Sequence, residues 1–298
     1  MGLVACSQYG ATGFALQFML DTSLEDDLKF PLKARDLVVM DLDRSTAPVK
    51  VMWASGPDQV IHDLQCAGMK GDRFHRPMYI SKDMAEYDGK MMFVDPSGRG
   101  KDRTGYAVVN HLKGQLFVRR WGSLDGGYDD KTLETLAHIA RTEGVHEIVA
   151  ESNFGDGMYS KLFKPVLQRI YPCKIEEQRA TSQKEMRIID TLEPLMNQHR
   201  LIVDPQIIRV DLKDPKDHSC IYQMTRVCRQ VNALSHDDAL DALAGACAYW
   251  TERLRETTHT VEEDHEREML NAELDKWLEE MGQTGQGHSF RPDRAVHR

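Results

Sequence analysis

Much that would make a function easy to read is missing from these 298 residues. The six cysteines (Cys6, Cys66, Cys173, Cys220, Cys228, Cys247) contain no C-x-x-C pair, and no Cys/His spacing fits a zinc site. Reduced, mostly structural thiols in a cytoplasm are expected, with Cys220 and Cys228 in the core. No apolar run is long enough to cross a bilayer. Leu3-Val4-Ala5-Cys6 has the letters of a lipoprotein cleavage box, but neither a basic n-region nor an apolar h-region precedes it. Position 6 also lacks the Ser or Thr of a myristoylation signal. A soluble intracellular protein, neither secreted nor membrane-bound, is the expectation. No G-x-x-x-x-G-K-[ST] phosphate loop occurs; Gly98-Arg99-Gly100-Lys101-Asp102 imitates one with the wrong spacing, behind a carboxylate that would repel phosphate. Excess positive charge is absent too. The net charge of −9 and pI near 5.7 argue against a general nucleic-acid coat, though not against an enzyme that grips a polyanion locally. There is no internal repeat. The 41% hydrophobic and 29% charged residues belong to a globular chain able to bury at least one full-sized core.

What the chain does contain is three acidic strings. Met92-Phe93-Val94-Asp95 and Ile148-Val149-Ala150-Glu151 are short apolar runs that stop on a carboxylate. That pattern suits a buried strand whose last residue leaves the sheet and faces a cleft. In Ser235-His236-Asp237-Asp238-Ala239-Leu240-Asp241 an acidic pair opens an Ala/Leu-rich helix that ends near Trp250. Carboxylates delivered from separate elements into one cleft repel each other unless a cation sits between them, and hard oxygen ligands favour Mg²⁺ or Mn²⁺. Singly, each string has a plain reading. Asp before Pro-Ser-Gly is a turn, Asp237 is an N-cap, and Glu151-Ser152-Asn153 before Gly155 is a loop. Together they point to a metal-dependent nuclease.

The pattern around these strings is that of an α/β domain. Strands are expected at Met91–Val94, Gly105–His111 and Leu116–Trp121, an antiparallel meander with Gly-containing turns. Helix and strand then alternate: helix Thr132–Glu143, strand Glu147–Ala150, helix 156–170, strand Cys173–Glu176, helix 183–198 and strand Leu201–Val203. Residues 205–232 are mixed, with a helix around 218–229, and Asp237–Arg253 is the closing helix. The result is a mixed sheet flanked by helices, with a cleft outside the strand ends. Before it, residues 1–85 read as the end of something larger: a short apolar helix at Phe14–Leu20, a capping box at Thr22-x-x-Glu25, and strands at Asp36–Met40 and Val49–Trp53. After it, residues 261–281 form an acidic stretch with Leu270, Leu274, Trp277, Leu278 and Met281 at helical spacing, and the basic end (Arg291, Arg294, His297, Arg298) is expected to be flexible.

Phosphodiester hydrolysis needs a water deprotonated near neutral pH and a leaving 3′-oxygen whose charge is neutralised. Two divalent ions about 3.5–4 Å apart can do both. Asp95, at a rigid strand end, is the natural bridge, and Glu151 reaches the second ion. At the head of the closing helix Asp237 and Asp241 share a face at i, i+4, while Asp238 and Asp241 are neighbours at i, i+3. Asp238 is the favoured ligand there. Asp237 either binds an ion or supports a residue that does, and Asp241 is the lesser candidate. His236 either assists a leaving group or is structural. Basic residues gather near the site at Arg99, Lys101, Arg103, Arg119, Arg120, Lys184 and Arg187. Of these, Arg99, Lys101, Arg103, Lys184 and Arg187 are candidates to hold a DNA backbone, against the plain reading of a solvated face.

Met92-Phe93-Val94-Asp95-Pro96-Ser97-Gly98 with Asp102-x-Thr104-Gly105, then Val149-Ala150-Glu151, then His236-Asp237-Asp238-Ala239-Leu240-Asp241-Ala242-Leu243 together resemble the nuclease domain of the large terminase subunit of tailed bacteriophages. Phe14–Leu20 with Phe30-Pro31-Leu32 resembles the segment that joins the packaging ATPase to that nuclease in short-tailed phages. The resemblance covers roughly residues 10–252. It implies a ribonuclease H-like fold and an endonuclease that cuts concatemeric viral DNA into genome lengths with two Mg²⁺ or Mn²⁺ ions. It also implies Asp95, Glu151, Asp237 and Asp238 as catalytic metal ligands. On this reading residues 1–85 are the end of an ATPase domain and its linker, 86–254 the nuclease domain, and 255–298 an acidic amphipathic helix with a basic tail. Family members carry an N-terminal ATPase with a Walker loop; its absence here leads to the expectation of a truncated product, a separate reading frame or an excised piece. The implied partners are double-stranded viral DNA, the portal protein, the small terminase subunit and other large-terminase subunits. The implied location is the host cytoplasm, at the procapsid portal. Two other readings keep part of this pattern. One is a nuclease of the Holliday-junction-resolvase kind on the same sheet; the other is a non-catalytic module that binds portal.

Overall fold

A computed structural model describes residues 29–97, 103–152, 157–179, 183–231 and 233–256. The first strands are short: β1 (Val38–Val39), β2 (Thr46–Pro48), β3 (Val51–Met52), β4 (Tyr79–Ile80) and β5 (Met84–Glu86). The longer ones follow as β6 (Gly89–Asp95), β7 (Arg103–Leu112), β8 (Gln115–Asp125), β9 (Glu147–Glu151), β10 (Lys174–Gln178) and β11 (Leu201–Val203). Helices are α1 (Asp130–Glu143), α2 (Met158–Ile170), α3 (Lys184–Asn197), α4 (Pro205–Asp211) and α5 (Cys220–Arg226). A further helix, α6, occupies residues 238–250. The chain divides into two compact units, Met1–Trp250 and Thr251–Arg298. Of the second, residues 251–256 are helical. Phe14–Leu20, the Thr22/Glu25 box and the acidic stretch 261–281 with its basic end lie outside the described residues.

Seven strands form one sheet in the order β1-β11-β8-β7-β6-β9-β10. β7 pairs antiparallel with both β6 and β8, which is the expected meander. All other pairings in this sheet are parallel. β7 alone therefore runs against the rest, and β6 and β9 end on the same edge. The residues of β6 alternate between two cores, as a strand covered on both faces requires. Met91 and Phe93 pack with Ile188 and Leu192 of α3 and with Leu240 and Leu243 of α6. Met92 and Val94 pack on the other face with Leu133 and Leu136 of α1 and Phe163 of α2.

Two differences from the sequence reading concern the first 85 residues. The strand expected at Asp36–Met40 is only Val38–Val39, and it pairs with β11 as the edge of the main sheet. Leu32, Leu37, Leu64 and Phe74 also belong to the core that holds α3 and α6. A boundary at 85/86 therefore does not separate two hydrophobic cores among the described residues. The strand expected at Val49–Trp53 is β3, which pairs with the unread β4, while β2 pairs with the unread β5. Such two- and three-residue strands are too short to show a period of two. The helix expected around 218–229 is Cys220–Arg226, and α4 lies in the stretch read as mixed. Its signal was present: Asp204 caps Gln206 N, with Pro205 in the first turn.

Candidate metal centre

Val94 of β6 and Ala150 of β9 are register partners, so Asp95 and Glu151 leave adjacent parallel strands side by side. Phe93 and Val149, two residues earlier on each strand, face the core shared with α3 and α6, and the alternation directs both carboxylates to that side. Asp241 approaches from α6, one turn into the helix. Its neighbours Ala239, Leu240, Ala242, Leu243 and Ala244 are all buried, so Asp241 is carried into the interior with them. One carboxylate oxygen from each of Asp95, Glu151 and Asp241 lies within 4.8 Å of the other two.

Two interactions place α6. Trp121 Nε1 donates to Ala239 O at 2.7 Å, and Trp250 Nε1 donates to Val109 O at 2.9 Å. The start of α6 also needs a glycine beneath it. A Cβ on Gly105 would sit 2.0 Å from Asp238 O. Gly105 is the register partner of Asp95, so this close approach brings the helix start onto the strand end that carries the carboxylate.

These carboxyls are nearly dry: Asp95 is 9% exposed, Glu151 5% and Asp241 2%. Burial pushes the Asp95 carboxyl well above the usual aspartate range, and Asp241, Glu151 and Asp238 add repulsion that Lys184 only partly offsets. Burial also raises Asp241, against the pull of Lys184 and Arg187. Both cations come from the first turn of α3. Lys184 Nζ lies 2.8 Å from Asp237 Oδ1, 3.1 Å from Asp241 Oδ2 and 3.8 Å from Asp95 Oδ2. Arg187 donates to both oxygens of Asp241, at 2.7 and 2.9 Å, and to Glu151 Oε1 at 3.2 Å. Burial by itself would lower the Lys184 ammonium, but the carboxylates of Asp241, Asp95 and Asp237 outweigh it and hold the group protonated.

The geometry ranks the acidic residues differently from the sequence. Asp95 and Glu151 come together with Asp241, the lesser candidate, rather than with Asp238. Asp238 opens the helix and acts on Asp95 as the weakest of the three acidic neighbours. Asp237 precedes the helix and holds Lys184. His236 stands against His218, ring centroids 4.3 Å apart. Lys184 and Arg187 are not on a solvated face but inside the acidic cluster. Arg103 pairs with Asp125 at 2.8 Å, while Arg99 and Lys101 lie outside the described residues. Arg119 and Arg120 are not at the site: both bind the buried Glu143, and Arg119 also reaches Asp204 at 2.9 Å.

The donor set fits a divalent hard cation. Three anionic oxygen ligands converge from three rigid elements. Asp95, Glu151, Asp237 and Asp241 against Lys184 and Arg187 leave a formal charge of −2 in a low-dielectric space. Among the described residues no other group of three His, Cys, Asp or Glu converges in this way, and no helix is long and apolar enough to cross a membrane.

Comparison with known proteins agrees with the sequence resemblance. Against the large terminase subunit of Enterobacteria phage T3 the chain is 41% identical over 280 residues, 91% of this chain. It spans about half of that relative, 47% of its length. The human cytomegalovirus terminase nuclease domain, Mn-soaked with an inhibitor bound, aligns over 55% of this chain and 83% of its own, at 15% identity and a TM-score of 0.42. The large terminase nuclease of thermophilic phage G20c with bound cobalt aligns over 74% and 97%, at 12% identity and a TM-score of 0.41. Residues 94–201 match the family described as the bacteriophage T7 terminase ribonuclease H-like domain. Residues 94–201, which run from the end of β6 to the start of β11 in the mixed α/β sheet, thus match a terminase ribonuclease H-like domain.

Proposed function

We propose that this chain contains the DNA-cutting centre of a viral genome-packaging terminase, a divalent-metal-dependent endodeoxyribonuclease acting on concatemeric double-stranded DNA. The observation that carries this reading is the convergence of Asp95, Glu151 and Asp241 within 4.8 Å at one end of the sheet. These three residues would hold two Mg²⁺ or Mn²⁺ ions, which when bound lower the pKa of the attacking water and neutralise the departing 3′-oxygen. Asp95, on a strand end packed on both faces, would give the ions a rigid ligand to which the other two carboxylates are set. Glu151 and Asp241 are held in orientation by Arg187, and Asp241 and Asp237 by Lys184. The cluster's burial keeps bulk water away from the carboxylates and strengthens each electrostatic contact there. Asp237 and Asp238, at the open head of α6, are the residues best placed to complete the ligand set as DNA enters. Duplex viral DNA, the portal protein, the small terminase subunit and further large subunits are the partners this reading assigns.

The test is supercoiled plasmid incubated with Mn²⁺. The wild type should nick and linearise it, and Asp95→Ala and Asp241→Asn should each lose at least about a hundredfold in rate, as expected for removing a ligand from metal-assisted hydrolysis. A wild type that leaves the plasmid intact, or an Asp95→Ala variant that cuts as well as the wild type, would overturn the assignment.

A further inference from the structure

Ser97 and Thr104 belong to the motif that follows Asp95, yet neither touches the carboxylate cluster. Their hydroxyls go elsewhere. Thr104 Oγ1 donates to Gly126 O at 2.7 Å, Ser97 Oγ donates to the same oxygen at 2.9 Å, and Ser97 N donates to Thr104 Oγ1 at 3.2 Å. Both side chains are buried. Gly126 is in the loop between β8 and α1, at φ +104, a conformation that side-chain-bearing residues rarely adopt. The adjacent Gly127 lies so close to Ser97 that a Cβ would meet its carbonyl oxygen and hydroxyl at 2.7 Å. The other side of the loop is fastened to α1: Thr132 Oγ1 donates to Asp125 O at 3.2 Å, and Asp129 accepts from Thr132 N at 3.0 Å. Two hydroxyls, two glycines and a helix cap thus lock the loop of residues 126–129 against the exit of β6.

That loop carries Tyr128. Its ring stands edge-on to the buried ring of Tyr159, centroids 5.6 Å apart, and it packs at the margin of the α1/α2 core while remaining partly exposed. Its loop is locked onto Ser97, two residues beyond Asp95, and burial, with the charges of Glu177 and then Asp95, pushes its hydroxyl above the usual tyrosine range. A phosphodiester approaching Asp95 offers only acceptors. A neutral phenol can donate to it without being drawn into the carboxylate cluster, as Lys184 and Arg187 are. We propose that Tyr128 is a DNA-contacting residue of the cleft, its hydroxyl donating to a phosphate oxygen beside the scissile bond and its ring lying against the adjoining sugar. Ser97 and Thr104 are the positioning residues that hold it there.

The inference rests on the nuclease reading, and the test separates the two. Wild-type cleavage of plasmid with Mn²⁺ establishes the nuclease; if it is absent, that reading fails first. Given an active wild type, duplex affinity is measured by fluorescence anisotropy without metal, and kcat and KM are measured with it. Tyr128→Phe should weaken affinity and raise KM about three- to tenfold, the value of one neutral hydrogen bond, with kcat and melting temperature unchanged. Tyr128→Ala should lose more. Thr104→Val and Ser97→Ala should match Tyr128→Phe in affinity and KM while lowering the melting temperature, and combining either with Tyr128→Phe should add almost nothing to the binding loss, because they act through the same contact. Affinity and KM equal to wild type in Tyr128→Phe would overturn the proposal. Full additivity of Thr104→Val with Tyr128→Phe would overturn the positioning role.

Discussion

At the residue scale the site is an arrangement under electrostatic tension. Asp95 has a folded-state pKa above the ordinary value of 3.8, so the folded chain binds its proton more tightly than the unfolded chain does. As pH rises from that ordinary value through the folded one, the folded state therefore loses stability. Asp95→Asn removes the penalty. It should raise the melting temperature by roughly 2–4 °C at pH 7.5, about 1 kcal/mol, and by much less at pH 4, where calorimetry should find the two proteins alike. A variant that melts below the wild type at pH 7.5 would show that Lys184 and Arg187 already overcompensate the cluster. Arg187→Met acts in the opposite sense, leaving Glu151 and Asp241 buried without their bidentate partner, and should cost about 3 kcal/mol by urea unfolding. The sequence made Asp95 and Glu151 legible because an apolar run ending on a carboxylate is a strong local pattern. It put Asp238 ahead of Asp241, whereas the structure gathers Asp241 with Asp95 and Glu151. The pair Asp237-Asp238 drew attention as a pair, whereas the telling feature was a single Asp inside Ala239-Leu240-Asp241-Ala242-Leu243-Ala244, where every neighbour must be buried. Lys184 and Arg187 were read as candidates for the DNA backbone or as a solvated face, and their carboxylate partners were missed because nothing local reveals a partner more than 35 residues away in sequence.

At the element scale the site depends on how α6 meets the sheet. The indole of Trp121 holds the first turn through Ala239 O, and Gly105 gives that turn room. Trp121→Phe should keep most of the packing but lose the hydrogen bond, costing about 1 kcal/mol of stability. Its effect on Mn²⁺ affinity should be larger than that of a substitution remote from α6, such as Trp53→Phe. Equal metal affinity in the two variants would mean that α6 does not set the ligand geometry. Long elements were readable from period: the β6–β8 meander, α1, α2, α3 and α6 all fall within a few residues of their expected places. The short strands were not. β1 was misjudged because a two-residue strand with both residues buried, Val38 and Val39, owes its existence to pairing with β11 far along the chain.

At the scale of the whole molecule one end of the sheet gathers everything the proposal uses. Asp95 and Glu151 end parallel strands there, α3 and α6 bring Lys184, Arg187 and Asp241 from one face, and the β8–α1 loop brings Tyr128. The opposite end of β8 carries Gln115, bonded to Val51 O of the short β3, so the β3/β4 ribbon lies away from the cleft. The same sheet joins residues on both sides of position 85, which no local signal in the sequence could show. The most direct test of the account is anomalous diffraction at the manganese edge from crystals soaked in Mn²⁺. The account predicts density among the carboxylates of Asp95, Glu151 and Asp241, with the amine of Lys184 withdrawn from Asp95. Manganese bound elsewhere, with these three carboxylates still held by Lys184 and Arg187 alone, would contradict it.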